Sequence, residues 1–165
     1  MAGEQNKETI RQYLQDSWGK GDISVADRLL VPDYKLIALS GGSPSMGSGG
    51  SHAGAYGGGS DKDGVIRDIG MYREAFPDLR FDIDLLLAED DKVAAQWTAT
   101  GTNTGSMRGM PATNKAVTYS GVTIYTLRGD QITEERYFGD RLGLWQQLGV
   151  VHGTRELFSE ATHQT

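Results

Sequence analysis

From Asn6 to Trp18 the apolar positions Ile10, Tyr13, Leu14 and Trp18 recur at helical spacing, with charged and amide side chains between them. The pattern predicts an amphipathic first helix. Gly19 and Gly21 then let the chain turn, and Asp22 is placed to cap a second, short helix that carries Val25, Leu29 and Leu30 and stops at Pro32. Tyr34 to Leu39 is short and apolar and reads as a strand. Helical spacing resumes after Asp61 through Val65, Ile69, Met71, Tyr72 and Phe76, and Pro77 closes that third helix. The remaining patterned stretches are strand-like. Phe81 to Ala88 and Val93 to Thr100 flank the turn pair Asp90-Asp91, while Ala116 to Leu127 and Gln131 to Phe138 flank the tight turn Arg128-Gly129-Asp130, which makes two hairpins.

Helices gathered ahead of antiparallel strands predict the α+β class, with the helices packed on one face of a curved sheet. Such curvature leaves a concave, closed-ended space of the kind that binds small molecules. The 165 residues suit one domain over 1–165, and no internal repeat competes with that reading. Residues 40 to 60, SGGSPSMGSGGSHAGAYGGGS, hold too little apolar surface to offset the entropy of ordering the backbone, so a flexible loop is expected there. It reads either as a mobile lid over a pocket mouth or as an inert excursion. It contains no GxxxxGK[ST] and is not a phosphate loop. Residues 153 to 165 are expected to fray.

Composition narrows the chemistry. Hydrophobic residues make up 38% and charged residues 23% of the chain, as in an ordinary folded domain. The net charge is -6, with 22 acids against 16 bases and no basic run, which argues against nucleic acid as a partner. The absence of cysteine excludes disulfides, thiolate ligands and thiol nucleophiles. His52, His152 and His163 are far apart and lack HxH or HxxxH spacing, so a metal cofactor is not expected. The opening MAGEQNKETI is not a secretory signal and no apolar stretch approaches membrane-spanning length, which predicts a cytoplasmic protein with no membrane partner.

Five stretches, RQYLQDSWGKGD, REAFPDLRFDID, DKVAAQWTATGTNTG, MPATNKAVTYSGVTIYTLRGDQITE and DRLGLWQQLG, together resemble the SnoaL-like polyketide cyclases of the NTF2-like superfamily. AFPDLR at Ala75 to Arg80, the GTxTG at Gly101 to Gly105 and the D-x-x-G-L-x-x-Q-L-G of Asp140 to Gly149 are its most specific parts. The resemblance implies a cone in which a curved antiparallel or mixed sheet wraps the N-terminal helices. It implies a cofactor-independent cyclase or isomerase of secondary-metabolite biosynthesis, acting on a polyketide or similar apolar carbonyl compound. It also implies a homodimer paired through the outer sheet surface, and Asp140 as the acid/base group, a role a carboxylate can fill when a dry pocket raises its pKa. Where relatives carry histidine in GTHTG this chain has Asn103, and the histidine late in the first strand is replaced by Ala38 and Leu39. Asparagine donates a hydrogen bond but does not exchange protons near neutral pH, so other cyclisations, hydration or epoxide opening stay open beside aldol closure.

The remaining candidates follow from position. If the last strand is regular, Ile132, Glu134, Arg136, Phe138 and Asp140 share one side, and Glu134, Arg136 and Asp140 could meet in the cavity or form a buried ion pair. Arg136 between acids faintly resembles the Asp-Arg-Asp set of limonene-epoxide hydrolases. Trp18 matches an aromatic pocket position of the family, and Tyr13 lies on the same helix five positions earlier, though both also suit a plain core. Trp97, Tyr119 and Tyr125 lie on central strands with either face open to them, and a tyrosine hydroxyl in the cavity could donate a proton. A non-catalytic small-molecule-binding protein on the same scaffold is the competing reading, as is an epoxide-opening hydrolase.

Overall fold

Three aspartates start three helices by accepting the backbone N–H two or three residues on: Asp22 from Ser24, Asp61 from Gly64 and Asp140 from Gly143. The computed structural model describes residues 2–39 and 60–151. Helix α1 (Ala2–Gln12) runs on without a break into a π-helical segment (Tyr13–Gly19), followed by α2 (Ile23–Leu29) and β1 (Leu30–Ala38). Next come α3 (Lys62–Ala75), β2 (Arg80–Glu89), β3 (Lys92–Thr102), β4 (Ala116–Arg128), β5 (Gln131–Gly139) and α4 (Arg141–Leu148). The five strands form one mixed sheet in the order β1-β5-β4-β3-β2, antiparallel except for the parallel pair of β1 with β5. The α+β class and the two hairpins expected from the sequence are present.

The sheet bends where its register slips. On β2, Ile83 faces Trp97 and Leu85 faces Gln96, so Asp84 is an extra residue. On β5, Leu127 pairs with Ile132 but Thr126 pairs with Glu134, so Thr133 is extra, and its hydroxyl donates to the Thr126 carbonyl at 3.1 Å. On β1, Leu30 pairs with Ile132 and the next partner is Lys35, which leaves Pro32 outside the ladder where its missing N–H does no harm. The sequence reading ended the second helix at Pro32; the strand in fact begins at Leu30, because a bulged edge strand tolerates proline. The first helix also starts earlier than expected, and α4 was not foreseen as a helix.

The concave face of the sheet packs on the helices. Val93, Ala95, Trp97 and Ala99 of β3 and Val117, Tyr125 and Leu127 of β4 are buried against Ile10, Leu14, Leu29, Val65 and Ile69. Gly105 lies so close to the carboxyl end of α3 that a Cβ there would strike the Glu74 carbonyl oxygen, which is why the GTNTG turn needs glycine at this position. Among the described residues no helix is long and apolar enough to cross a membrane. The glycine-rich residues 40–59 with His52, and His152, His163 and the tail, lie outside the described residues.

Candidate active site

Between the π-helical segment, α3, the start of α4 and the concave sheet face lies a hollow of about 590 Å3, open solvent at its mouth included. Its walls are mainly aromatic: Trp18, Tyr72, Phe81, Trp97, Tyr125 and Tyr137. Trp97 is the centre of the wall. Its ring lies 5.3 Å from Phe81 and 6.1 Å from Tyr137, centroid to centroid, and its indole N–H is held by the Thr123 hydroxyl at 3.0 Å. A second hollow of about 410 Å3, also open, shares Trp18, Tyr72 and Phe81 with the first and continues toward Phe76, Tyr119 and Leu144. Its exposed lining is wholly apolar.

The π-helical segment matters to this wall. Residues five apart in an α-helix point roughly 140° away from each other, whereas i→i+5 hydrogen bonding stacks them on one face. Tyr13 and Trp18 are so related. Trp18 therefore faces the hollow while Tyr13 packs beneath it, fully buried and edge-on to Tyr125 at 6.1 Å.

One carboxyl group lines the hollow from within the core. Glu135, on β5, is only 4% exposed, and burial pushes its pKa from the ordinary 4.5 to about 7. The hydroxyls of Tyr34 and Tyr13 face it and moderate that rise by favouring the ionised form. Neither hydroxyl, nor the Oε1 atom of Glu135, completes a well-formed hydrogen bond, which is uncommon for atoms so deeply buried. Burial, and then the charge of Glu135, raise Tyr13, Tyr34 and Tyr125 well above the usual phenol range, so all three remain neutral donors. At the rim, the Arg141 guanidinium lies 5.3 Å over the Tyr137 ring, and Arg108 pairs with Asp68 at 2.9 Å. Burial pushes Tyr137 up to about 12 against the opposing pull of Arg141.

The residues expected from the sequence fall in several places. Trp18, Trp97 and Tyr125 line the first hollow and Tyr119 the second. Glu134, Arg136 and Phe138 do not face the cavity. The extra residue Thr133 reverses the alternation of β5 after Ile132, so Glu135 and Tyr137 point inward while Glu134, Arg136 and the 56% exposed Phe138 point out. Glu134 and Arg136 pair with each other on that outer face at 2.8 Å, an exposed rather than a buried ion pair. Asp140 does not share the hollow: it is exposed, and its carboxylate accepts the Gly143 N–H at 2.9 Å as the cap of α4. Asn103 is fully buried outside both hollows. Its amide donates to Ala75 and Gly105 carbonyls and its oxygen accepts from the N–H and hydroxyl of Thr113, so it clasps the loop after β3 to the end of α3. Glu135, Tyr34, Tyr137 and Arg141 were missed. Among the described residues no group of three or more His, Cys, Asp or Glu side chains is arranged to hold a metal.

The family model for SnoaL-like polyketide cyclase matches residues 8–148. The chain belongs to that family. A solved structure named as a polyketide cyclase from Acidithiobacillus ferrooxidans is 32% identical, with 88% of this chain and 94% of that one covered and a TM-score of 0.68. A SnoaL-like polyketide cyclase structure from Jannaschia sp. CCS1 is 24% identical, covering 91% and 95% of the two chains at a TM-score of 0.72. AclR of Streptomyces galilaeus, named as a hydroxylase, is 19% identical over 99% of this chain and 92% of its own at 0.75, a likeness of fold alone. No curated protein matches in sequence. The α+β, NTF2-like architecture of this SnoaL-like chain thus agrees with its solved relatives.

Proposed function

We propose that this SnoaL-like protein is a cofactor-independent cyclase or isomerase that moves protons on a polyketide or similar apolar carbonyl compound held in the aromatic hollow. One observation carries the reading: a hollow walled by Trp18, Tyr72, Phe81 and Trp97 contains a buried carboxyl group able to exist in both protonation states near neutral pH. Aromatic walls suit a planar, apolar skeleton, and a carboxyl that both takes and returns a proton is what enolisation and ring closure require. The names of the relatives support the substrate class.

A binding protein without catalysis is the second reading, favoured by the solvent-facing Asp140 and by the structural use of Asn103. Incubation with aromatic β-ketoesters, linear and partly cyclised, followed by chromatography and mass spectrometry, separates the two. Conversion to a ring-closed or isomeric product supports the enzyme. Saturable quenching of tryptophan fluorescence with no product leaves a binding protein.

The outer sheet face supports the homodimer. Leu85, Val122 and Phe138 lie in one cross-strand row around Gln96, and Leu87 and Ile124 lie in the next around Ala94, all five apolar side chains being exposed. A second copy of the chain on this face would bury them.

A further inference from the structure

Resting on the proton-transfer reading above, we propose that Glu135 is the acid/base group of the hollow, flanked by the hydroxyls of Tyr13 and Tyr34, and that Asp140 serves as a helix cap. Asp140 is exposed, accepts the first-turn N–H of α4 and lines neither hollow. Glu135 is the only carboxylate among the described lining residues of the first hollow that lies in the core; the other, Asp68, is engaged with Arg108 at the rim. Three strands and the π-helical segment surround it, and the groups they present are Tyr13, Tyr34, Tyr125 and Tyr137, with Arg141 and Asp68 farther out.

The unsatisfied polar atoms point the same way. Tyr13 and Tyr34 come from the π-helical segment and β1, do not line the hollow, and converge on the carboxyl. Polar atoms so deeply buried seldom lack a well-formed hydrogen bond, so two such hydroxyls beside one buried carboxyl mark a functional arrangement more than a structural one. They stabilise the carboxylate without neutralising it. A cationic partner would have locked Glu135 in the ionised state.

The step balances without a further reactant. The Glu135 carboxylate takes a proton from the carbon next to a substrate carbonyl, and the C–H electron pair becomes the enolate. The enolate carbon then forms a C–C bond to a second carbonyl of the same molecule, and the resulting alkoxide takes the proton back from Glu135. Glu135 ends as it began.

The first half-step is measurable with 2-tetralone, a bicyclic ketone with acidic α-hydrogens, by following deuterium uptake in D2O by NMR. Wild-type protein is expected to accelerate exchange, E135Q to lose it by about 100-fold or more, and D140N to retain it within about 3-fold. Tyr13→Phe and Tyr34→Phe should raise the pH midpoint of exchange, a shift that a purely structural role would not produce. Circular dichroism and urea unfolding check that E135Q is folded. Exchange that survives in E135Q but is lost in D140N overturns the assignment while leaving a proton-transfer enzyme. No exchange by the wild type, with 2-tetralone bound by fluorescence, overturns the assignment and the enzymatic reading together.

Discussion

Replacing Glu135 with glutamine should make the protein more stable at alkaline pH and leave it nearly unchanged in acid. The carboxyl is near pKa 4.5 when unfolded and about 7 when folded, so below pH 4.5 it is protonated in both states and imposes no ionisation penalty. As pH rises from about 4.5 to about 7, the unfolded chain ionises first and folding must hold the proton on. Above pH 7 the full penalty is present. The difference of about 2.5 pKa units at ~1.36 kcal/mol each amounts to about 3 kcal/mol, an order-of-magnitude figure for a group only 4% exposed. Glutamine keeps the shape and removes the ionisation. Urea unfolding of wild type and E135Q at half-unit steps from pH 4 to 9 reads the effect as a widening gap in stability, about 6–12 °C if followed as a melting temperature. Each protein has other titrating groups, but these cancel in the difference. A gap that stays constant across the whole range would refute the claim that Glu135 is buried and held largely neutral below pH 7.

Other perturbations bear on the rest of the molecule. Asn103→Ala strips four hydrogen bonds from a fully buried site and leaves the Gly105 carbonyl and the Thr113 N–H without their partner, while the Ala75 carbonyl keeps the N–H groups of Thr104 and Gly105. A loss of about 2–4 kcal/mol in urea unfolding is expected, and a loss under ~0.5 kcal/mol would contradict the clasp. Asp140→Ala should destabilise by about 1 kcal/mol through the lost cap, whereas Asp140→Asn, an equally good cap, should leave stability within about 0.3 kcal/mol. Val122→Lys places a charge in the centre of the outer apolar row; light scattering should show a dimer for wild type and a monomer for the variant, and a wild-type monomer at micromolar concentration would remove the dimer.

How much of this could be read from the sequence varied with how local the signal was. Asp22 announced its helix because capping is settled within three residues, and the turns at Asp90 and Gly129 announced the hairpins for the same reason. The start and stop of α4 were equally legible, with Asp140 at one end and Gly149 in the left-handed conformation at the other, φ 79°. Reading Asp140 through the family motif obscured its capping role. Glu135 was hidden by something else. Its inward direction depends on one extra residue, Thr133, and nothing in QITEERYF distinguishes a bulged strand from a regular one. A shift of one position exchanged Glu134, Arg136 and Phe138 for Glu135 and Tyr137. The π-helical turn was likewise silent in the sequence, although it decides that Trp18 reaches the hollow above Tyr13.

The protonation of Glu135 itself can be seen by infrared difference spectroscopy of wild type against E135Q across pH, with 2-tetralone bound. A protonated-carboxyl C=O band belonging to Glu135 should persist to about pH 7, disappear above it, and shift when the ketone is added. A band already gone by pH 5 and indifferent to the ketone would show an ordinary hydrated carboxylate, and the proton-transfer centre would not be there.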